Sequence, residues 1–189
     1  MTGADIVELG RMTVSRPRAA ARAILDMGFP RSEHWTLFLL TVVLSGLLGQ
    51  VGILVTPMDV DGPQPTGLGV AAVVGGSILL LAATVQVVGR WFGGRAEFSD
   101  TLLLMIWLQL VLVAFQALQT VALIVAPAFA GLIAIAAMVL MVWALVNFIA
   151  ELHGFESLGK VFLAMILTLF GLAFVLSLVL GAIGISVGA

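Results

Sequence analysis

The sequence contains no cysteine and no tyrosine, and only 10% of its residues are charged. Without cysteine there is no disulfide, no thiolate nucleophile and no cysteine-ligated metal. The scarcity of charge excludes more. A soluble domain carries about 25% charged residues on its water-facing skin, and this chain has too few to make one. A net charge of −2 offers no basic field for nucleic acid. With two histidines, and neither a G-x-S-x-G nor an H-E-x-x-H motif, little material remains for hydrolysis. Arginine outnumbers lysine seven to one, and alanine, valine and glycine are abundant, a bias that suggests bacterial, GC-rich coding.

What is present is apolar. Of 189 residues, 62% are hydrophobic, and they fall in blocks long enough to cross a hydrocarbon core of about 30 Å. The expected fold is all-α: a polytopic bundle with five transmembrane helices over about 35–55, 68–88, 101–125, 127–150 and 161–185. Residues 1–33 form a separate N-terminal segment, and residues 34–189 the membrane domain. The first thirty residues are polar and basic with no apolar h-region, so the first span is expected to remain as an anchor.

Within the N-terminal segment, Ser15-Arg16-Pro17 reads as a helix start with Ser15 as N-cap, and Gly28 and Pro30 as its stop. Ala20, Ile24 and Met27 share one face of this short amphipathic helix, and Arg18, Arg22 and Asp26 another. The pattern predicts a helix in the headgroup layer with its arginines on lipid phosphates. The alternative is a short helix packed on the bundle.

The polar islands set the orientation. Arg11, Arg16, Arg18, Arg22 and Arg31 precede span one, Arg90 and Arg95 follow span two, and Lys160 follows span four. Five spans place all eight cations on one side, leaving only Asp59 and Asp61 on the other. The positive-inside rule then puts the N-terminus in the cytoplasm and the C-terminus in the periplasm of a bacterial inner membrane.

Three groups of residues are candidates for function. The first is a cytoplasmic interaction face built from Arg18, Arg22, Gly93, Gly94, Arg95, Glu97, Asp100, Glu151, His153, Glu156 and Lys160. It would dock a protein or anionic lipid headgroups. Gly93-Gly94 permits a tight turn, and Ser99 or Asp100 is positioned to cap the next helix. The second is an intramembrane polar stripe, Gln109, Gln116, Gln119 and Thr120, which Gln86 and Asn147 are placed to meet. It reads either as a polar path or as amides that glue helices at about 0.6–2 kcal/mol each. No Asp, Glu, Lys, Arg or His falls at mid-span, which argues against a proton- or ion-coupled pump. The third is small residues spaced by four, Gly67, Ala71 and Gly75 beside Ala72 and Gly76, with Gly181, Gly184 and Gly188 late in the chain. Such stripes let helices approach closely, within the chain or in a homo-oligomer.

Two weaker constellations are set aside. Glu151, His153 and Glu156, with His34, match no metal-ligand spacing, so no metal and no cofactor is expected. Ser99, Asp100 and His153 carry a nucleophile, an acid and a base, but nothing in the pattern orders them, so no enzymatic activity is expected.

The pattern resembles the Yip-domain family, the Ypt-interacting proteins and their bacterial relatives. The resemblance rests on the basic segment with Arg16-Pro17, the turn Phe92-Gly93-Gly94-Arg95-Ala96-Glu97-Phe98 before span three, and Leu152-His153-Gly154-Phe155 with Ser157-Leu158-Gly159-Lys160 before span five. It covers the chain from about residue 15 onward. It implies five spans, a cytoplasmic N-terminus and, in eukaryotic relatives, binding of small prenylated GTPases in vesicle traffic. This chain lacks the family's Asp-Leu-Tyr-Gly-Pro element and a long soluble N-terminal region, so the resemblance does not extend to GTPase binding.

Overall fold

A computed structural model describes residues 3–55 and 65–182. Those residues form seven helices: α1 (Gly3–Ser15), α2 (Pro17–Asp26), α3 (Arg31–Val55), α4 (Gly67–Trp91), α5 (Phe98–Val125), α6 (Pro127–His153) and α7 (Leu158–Ala182). No strand occurs among the described residues. The last five helices are long and apolar enough to cross a membrane, and the chain is a polytopic helical membrane bundle. Asp59, Asp61, Gly184, Gly188 and the expected end of span five lie outside the described residues.

Helix boundaries follow local chemistry. Pro17 sits at the first position of α2, where a missing N–H costs nothing. The N-cap of that helix is Arg16 rather than Ser15. The Ser15 hydroxyl instead donates back to the Arg11 carbonyl at the end of α1. Thr66 caps α4 by accepting from the Gly69 N–H at 3.1 Å. Gly154, at φ 72°, ends α6 in the left-handed conformation that glycine tolerates. At α5 the expectation fails. Ser99 and Asp100 lie in the first turn, Glu97 occupies the N-cap, and its side chain makes no capping bond.

The α3–α4 pair shows what the small residues do. A Cβ on Gly46 would lie 2.7 Å from the Gly67 carbonyl and 2.8 Å from the Ala71 Cβ. The Gly67-Ala71-Gly75 stripe is therefore used inside the chain, with α3 as its partner. The second stripe is not: Ala72 is exposed, and a Cβ on Gly76 would meet nothing within 4 Å.

The core surrounds the first half of α5, where Leu102, Leu103, Leu104, Met105 and Ile106 are all buried. They meet Phe38 of α3, Ile78 and Ala82 of α4, and Ala144 and Phe148 of α6. α7 is peripheral and packs chiefly on α6, with Leu163, Leu167, Phe170 and Phe174 left exposed.

The N-terminal helices are part of this core. Ala20, Ala21 and Ile24 of α2 and Leu9 of α1 are buried in it. The apolar face of α2 thus packs on the bundle instead of entering lipid, and only Met27 of that face stays outside, 36% exposed. α1 was not anticipated. It is tied down by Trp107, whose Nε1–H donates to the buried Thr13 hydroxyl at 2.9 Å. The available signal was the i, i+3/i+4 spacing of Leu9, Met12 and Thr13, beside a Glu8–Arg11 ion pair at 2.9 Å.

Candidate functional site

The polar segments converge at one end of the bundle. α3 begins there, α4 ends, α5 begins, α6 ends and α7 begins, so the connections at 92–97 and 154–157 join α1 and α2 at this polar end. Its elements are tied by long-range bonds. Arg18 donates from Nη2 to the Phe155 carbonyl at 2.9 Å and to the Glu156 carbonyl at 3.4 Å. Arg22 donates from Nε and Nη2 to Oε1 of Glu151, at 2.8 and 2.6 Å. That hydrogen bond, and then the nearby carboxylate charge, raises the Arg22 pKa above its ordinary value. Arg31 pairs with Glu97 at 2.6 Å, joining α3 to the N-terminus of α5.

These bonds redefine the predicted face. Arg18 and Arg22, expected on lipid phosphates, reach the α6–α7 connection and Glu151 instead, because α2 lies on α6. His153, expected at the surface, is 6% exposed. Its Nδ1 lies 3.1 Å from the Ile149 carbonyl, and its ring stacks on Phe155 with centroids 5.4 Å apart. Two glycines make its socket, since a Cβ on Gly89 or Gly94 would fall inside the ring's contact distance. The Gly93-Gly94 pair therefore has two separate jobs. Gly93 takes φ 84°, and Gly94 makes room for the imidazole. His153 is a packing residue and does not belong to the surface. Arg95, Glu156 and Lys160 remain exposed, with no ion pair among the described residues, beside the exposed Trp91 and Phe92.

The other constellations come apart. Among the described residues no three His, Asp or Glu side chains are grouped to hold a metal. No hydrogen bond joins His153 to Ser99 or Asp100. Within the bundle, Gln109, Gln116 and Gln119 line one cleft of about 310 Å3 between α5 and α6, with Ala134, Ala137 and Met138 opposite. Gln109 also donates to the Ser45 hydroxyl of α3 at 3.3 Å. Thr120 and Asn147 do not join the glutamines. Each bonds its own helix, Thr120 to the Gln116 carbonyl and Asn147 to the Trp143 carbonyl, which is the cheapest way to satisfy a polar group in lipid.

A second cleft, of about 350 Å3, lies at the polar end between the starts of α3 and α5 and the end of α4. Arg31, His34, Trp35, Arg90, Glu97 and Ser99 line it together with Phe98 and Leu102. Sequence reasoning did not assemble this site, because its residues come from three helices.

A family model for the Yip1 domain matches residues 12–180. The chain belongs to the Yip1 domain family. The match spans α2 to α7 and the last residues of α1, so the Yip1 domain comprises the five spans together with the amphipathic helix packed beneath them. Comparison with curated proteins and with solved structures returned no match. The Yip1 domain is not known as an enzyme family, and it places this chain among integral membrane proteins.

Proposed function

We propose that this Yip1-domain protein is a non-enzymatic membrane organiser or adaptor of the bacterial inner membrane. In this reading its N-terminus and polar end are cytoplasmic and its C-terminus is periplasmic. The carrying observation is the long-range bonding of the polar end. Arg18, Arg22 and Arg31 brace α2, both polar connections and α3 into one surface, on which Arg95, Glu156, Lys160, Trp91 and Phe92 stay free. A braced surface with unpaired charges and exposed aromatics suits docking, because its connections are already ordered and only the free side chains lose entropy on binding.

The test uses a photo-crosslinker placed in cells at Arg95 or Lys160, with Leu132, 60% exposed in α6, as the lipid-facing control. Discrete adducts with another protein from the first two positions, absent from the third, are expected. Adducts with lipid or self alone would overturn the adaptor reading. The cysteine-free sequence makes orientation testable as well. Arg95→Cys should react with an impermeant maleimide only after the inner membrane is opened.

The α5–α6 cleft supports a second reading, a small permease or lipid-handling protein that uses Gln109, Gln116 and Gln119. Flux into proteoliposomes should then fall in Gln116→Leu, and unchanged flux would remove the glutamines from any path.

A further inference from the structure

The geometry points to a binding site for a phosphate group in the cleft between α3, α4 and α5, and we propose that a membrane lipid headgroup carries that phosphate. The proposal rests on the cytoplasmic-face reading above and adds a site and a ligand chemistry to it.

Three independent features of the cleft ask for an anion. The first is an uncapped helix start. Phe98, Ser99 and Asp100 hold the first three positions of α5, whose N–H groups have no partner within the helix. The Glu97 side chain makes no capping bond, whereas α4 has Thr66 for that purpose. Free N–H groups and the positive end of the helix dipole favour a phosphate oxygen there. The second is His34. It lines the cleft, is 4% exposed, and its buried Nδ1 has no hydrogen-bond partner. A buried ring nitrogen without a partner costs free energy, which a ligand oxygen in the cleft recovers once the imidazole turns that nitrogen toward it. The third is charge. Arg31 and Glu97 neutralise each other, so among the lining side chains Arg90, with no ion pair among the described residues, is the charge left over; Asp100, in the first turn of α5, does not line the cleft.

The position of the cleft selects the carrier. It lies at the polar ends of three candidate spans, and half-exposed Trp35 stands in its wall at the level an interfacial tryptophan takes. A lipid phosphate at that depth keeps its acyl chains against the exposed apolar flank of α3, where Leu39 and Val43 are 60% and 54% exposed. The Ser99 hydroxyl and the Arg90 guanidinium complete the donor set around it.

The experiment uses the full-length protein, purified in a neutral detergent and stripped of lipid. Its melting temperature is followed against dioctanoyl phosphatidic acid, dioctanoylglycerol and inorganic phosphate. The phosphatidic acid should raise it saturably, and dioctanoylglycerol, which lacks the phosphate, should not. Inorganic phosphate separates the two sources. No response to it assigns the site to the headgroup, and an equal response assigns the site to the free ion. Arg90→Gln should weaken the apparent affinity about tenfold or more, the size expected for one hydrogen bond to a charged group. Arg90 is exposed, so its loss should leave the fold intact. Glu97→Gln should act in the opposite direction and tighten binding, because it removes the carboxylate and frees Arg31. Arg95→Gln, exposed and outside the cleft, should change nothing. The site is overturned if neither phosphatidic acid nor phosphate shifts the melting point. It is also overturned if dioctanoylglycerol does as well, or if Arg95→Gln weakens binding as much as Arg90→Gln. No partner protein enters this assay, so its failure and failure of the adaptor reading are read separately.

Discussion

α5 enters the bundle buried and leaves it exposed. Leu102, Leu104 and Ile106 near its start are at most 1% exposed, while Val121, Ile124 and Val125 near its end are 58–78% exposed. α6 repeats the contrast in reverse, with Phe129 and Leu132 exposed and Phe148 and Ala150 buried. The polar end is packed and cross-bonded. The far halves of α5 and α6 are loose, with the glutamine cleft between them, while α3 and α4 stay in close contact at that end through Gly46, Gly67 and Ala71. Lipid explains why both can coexist. Apolar side chains at the far end are as well surrounded by acyl chains as by each other, so nothing forces them together. At the polar end, arginines, carbonyls and an imidazole must find partners, and only the chain itself supplies them in a defined arrangement.

The largest effect that would sharpen this contrast is Phe148→Ala against Phe170→Ala. Phe148 is 0% exposed and Phe170 69%. The first should cost the lower end of the about 3–5 kcal/mol seen for buried aromatics, since lipid and not water is the alternative surrounding. The second should cost almost nothing, and unfolding in a graded denaturing detergent measures both. Equal costs would break the comparison.

Next in size is a pair of alanine substitutions with opposite signs. Gly46→Ala pushes a methyl into the Gly67 carbonyl and should destabilise by about 1–3 kcal/mol, as overpacking does. Gly171→Ala in α7 meets nothing within 4 Å and should stabilise by up to about 1 kcal/mol through helix propensity. The same unfolding titration reads both.

A smaller effect is expected at Trp107→Phe, which removes the donor to Thr13 and should cost about 1 kcal/mol. Amide exchange should then accelerate in α1 and leave α3 and α4 unchanged. The smallest concerns Glu8, whose carboxyl is held below its ordinary pKa by the hydrogen bond from Arg11, helped by the arginine's charge. A depressed folded-state pKa gives stability that is present above the unfolded value and is lost as pH falls through the folded one. Both groups are exposed, so Glu8→Gln should leave the melting point at neutral pH within error.

The five spans were legible because lipid demands that each crossing satisfy its own backbone and present an apolar run, a constraint written locally in sequence. α2 was legible for a similar reason, from Pro17 at its start and its apolar stripe. Its partner was not, since the same stripe suits either a lipid interface or the face of α6. His153 looked like a surface residue because it follows Glu151 in a polar segment. Only the approach of α4 and the bare backbones of Gly89 and Gly94 turn it inward. Asn147 looked available to the glutamines, yet its own helix carbonyl lies closer at hand.

The chain by itself thus determined the number of crossings and the end of the bundle that collects its eight cations, because hydropathy and charge act residue by residue. Tertiary structure alone decided which arginines are spent on internal partners and which remain free. It also decided that Arg31, His34, Arg90 and Ser99 share one cleft. Those outcomes depend on which helices lie side by side, and packing between helices distant in sequence leaves no periodic mark on any one of them.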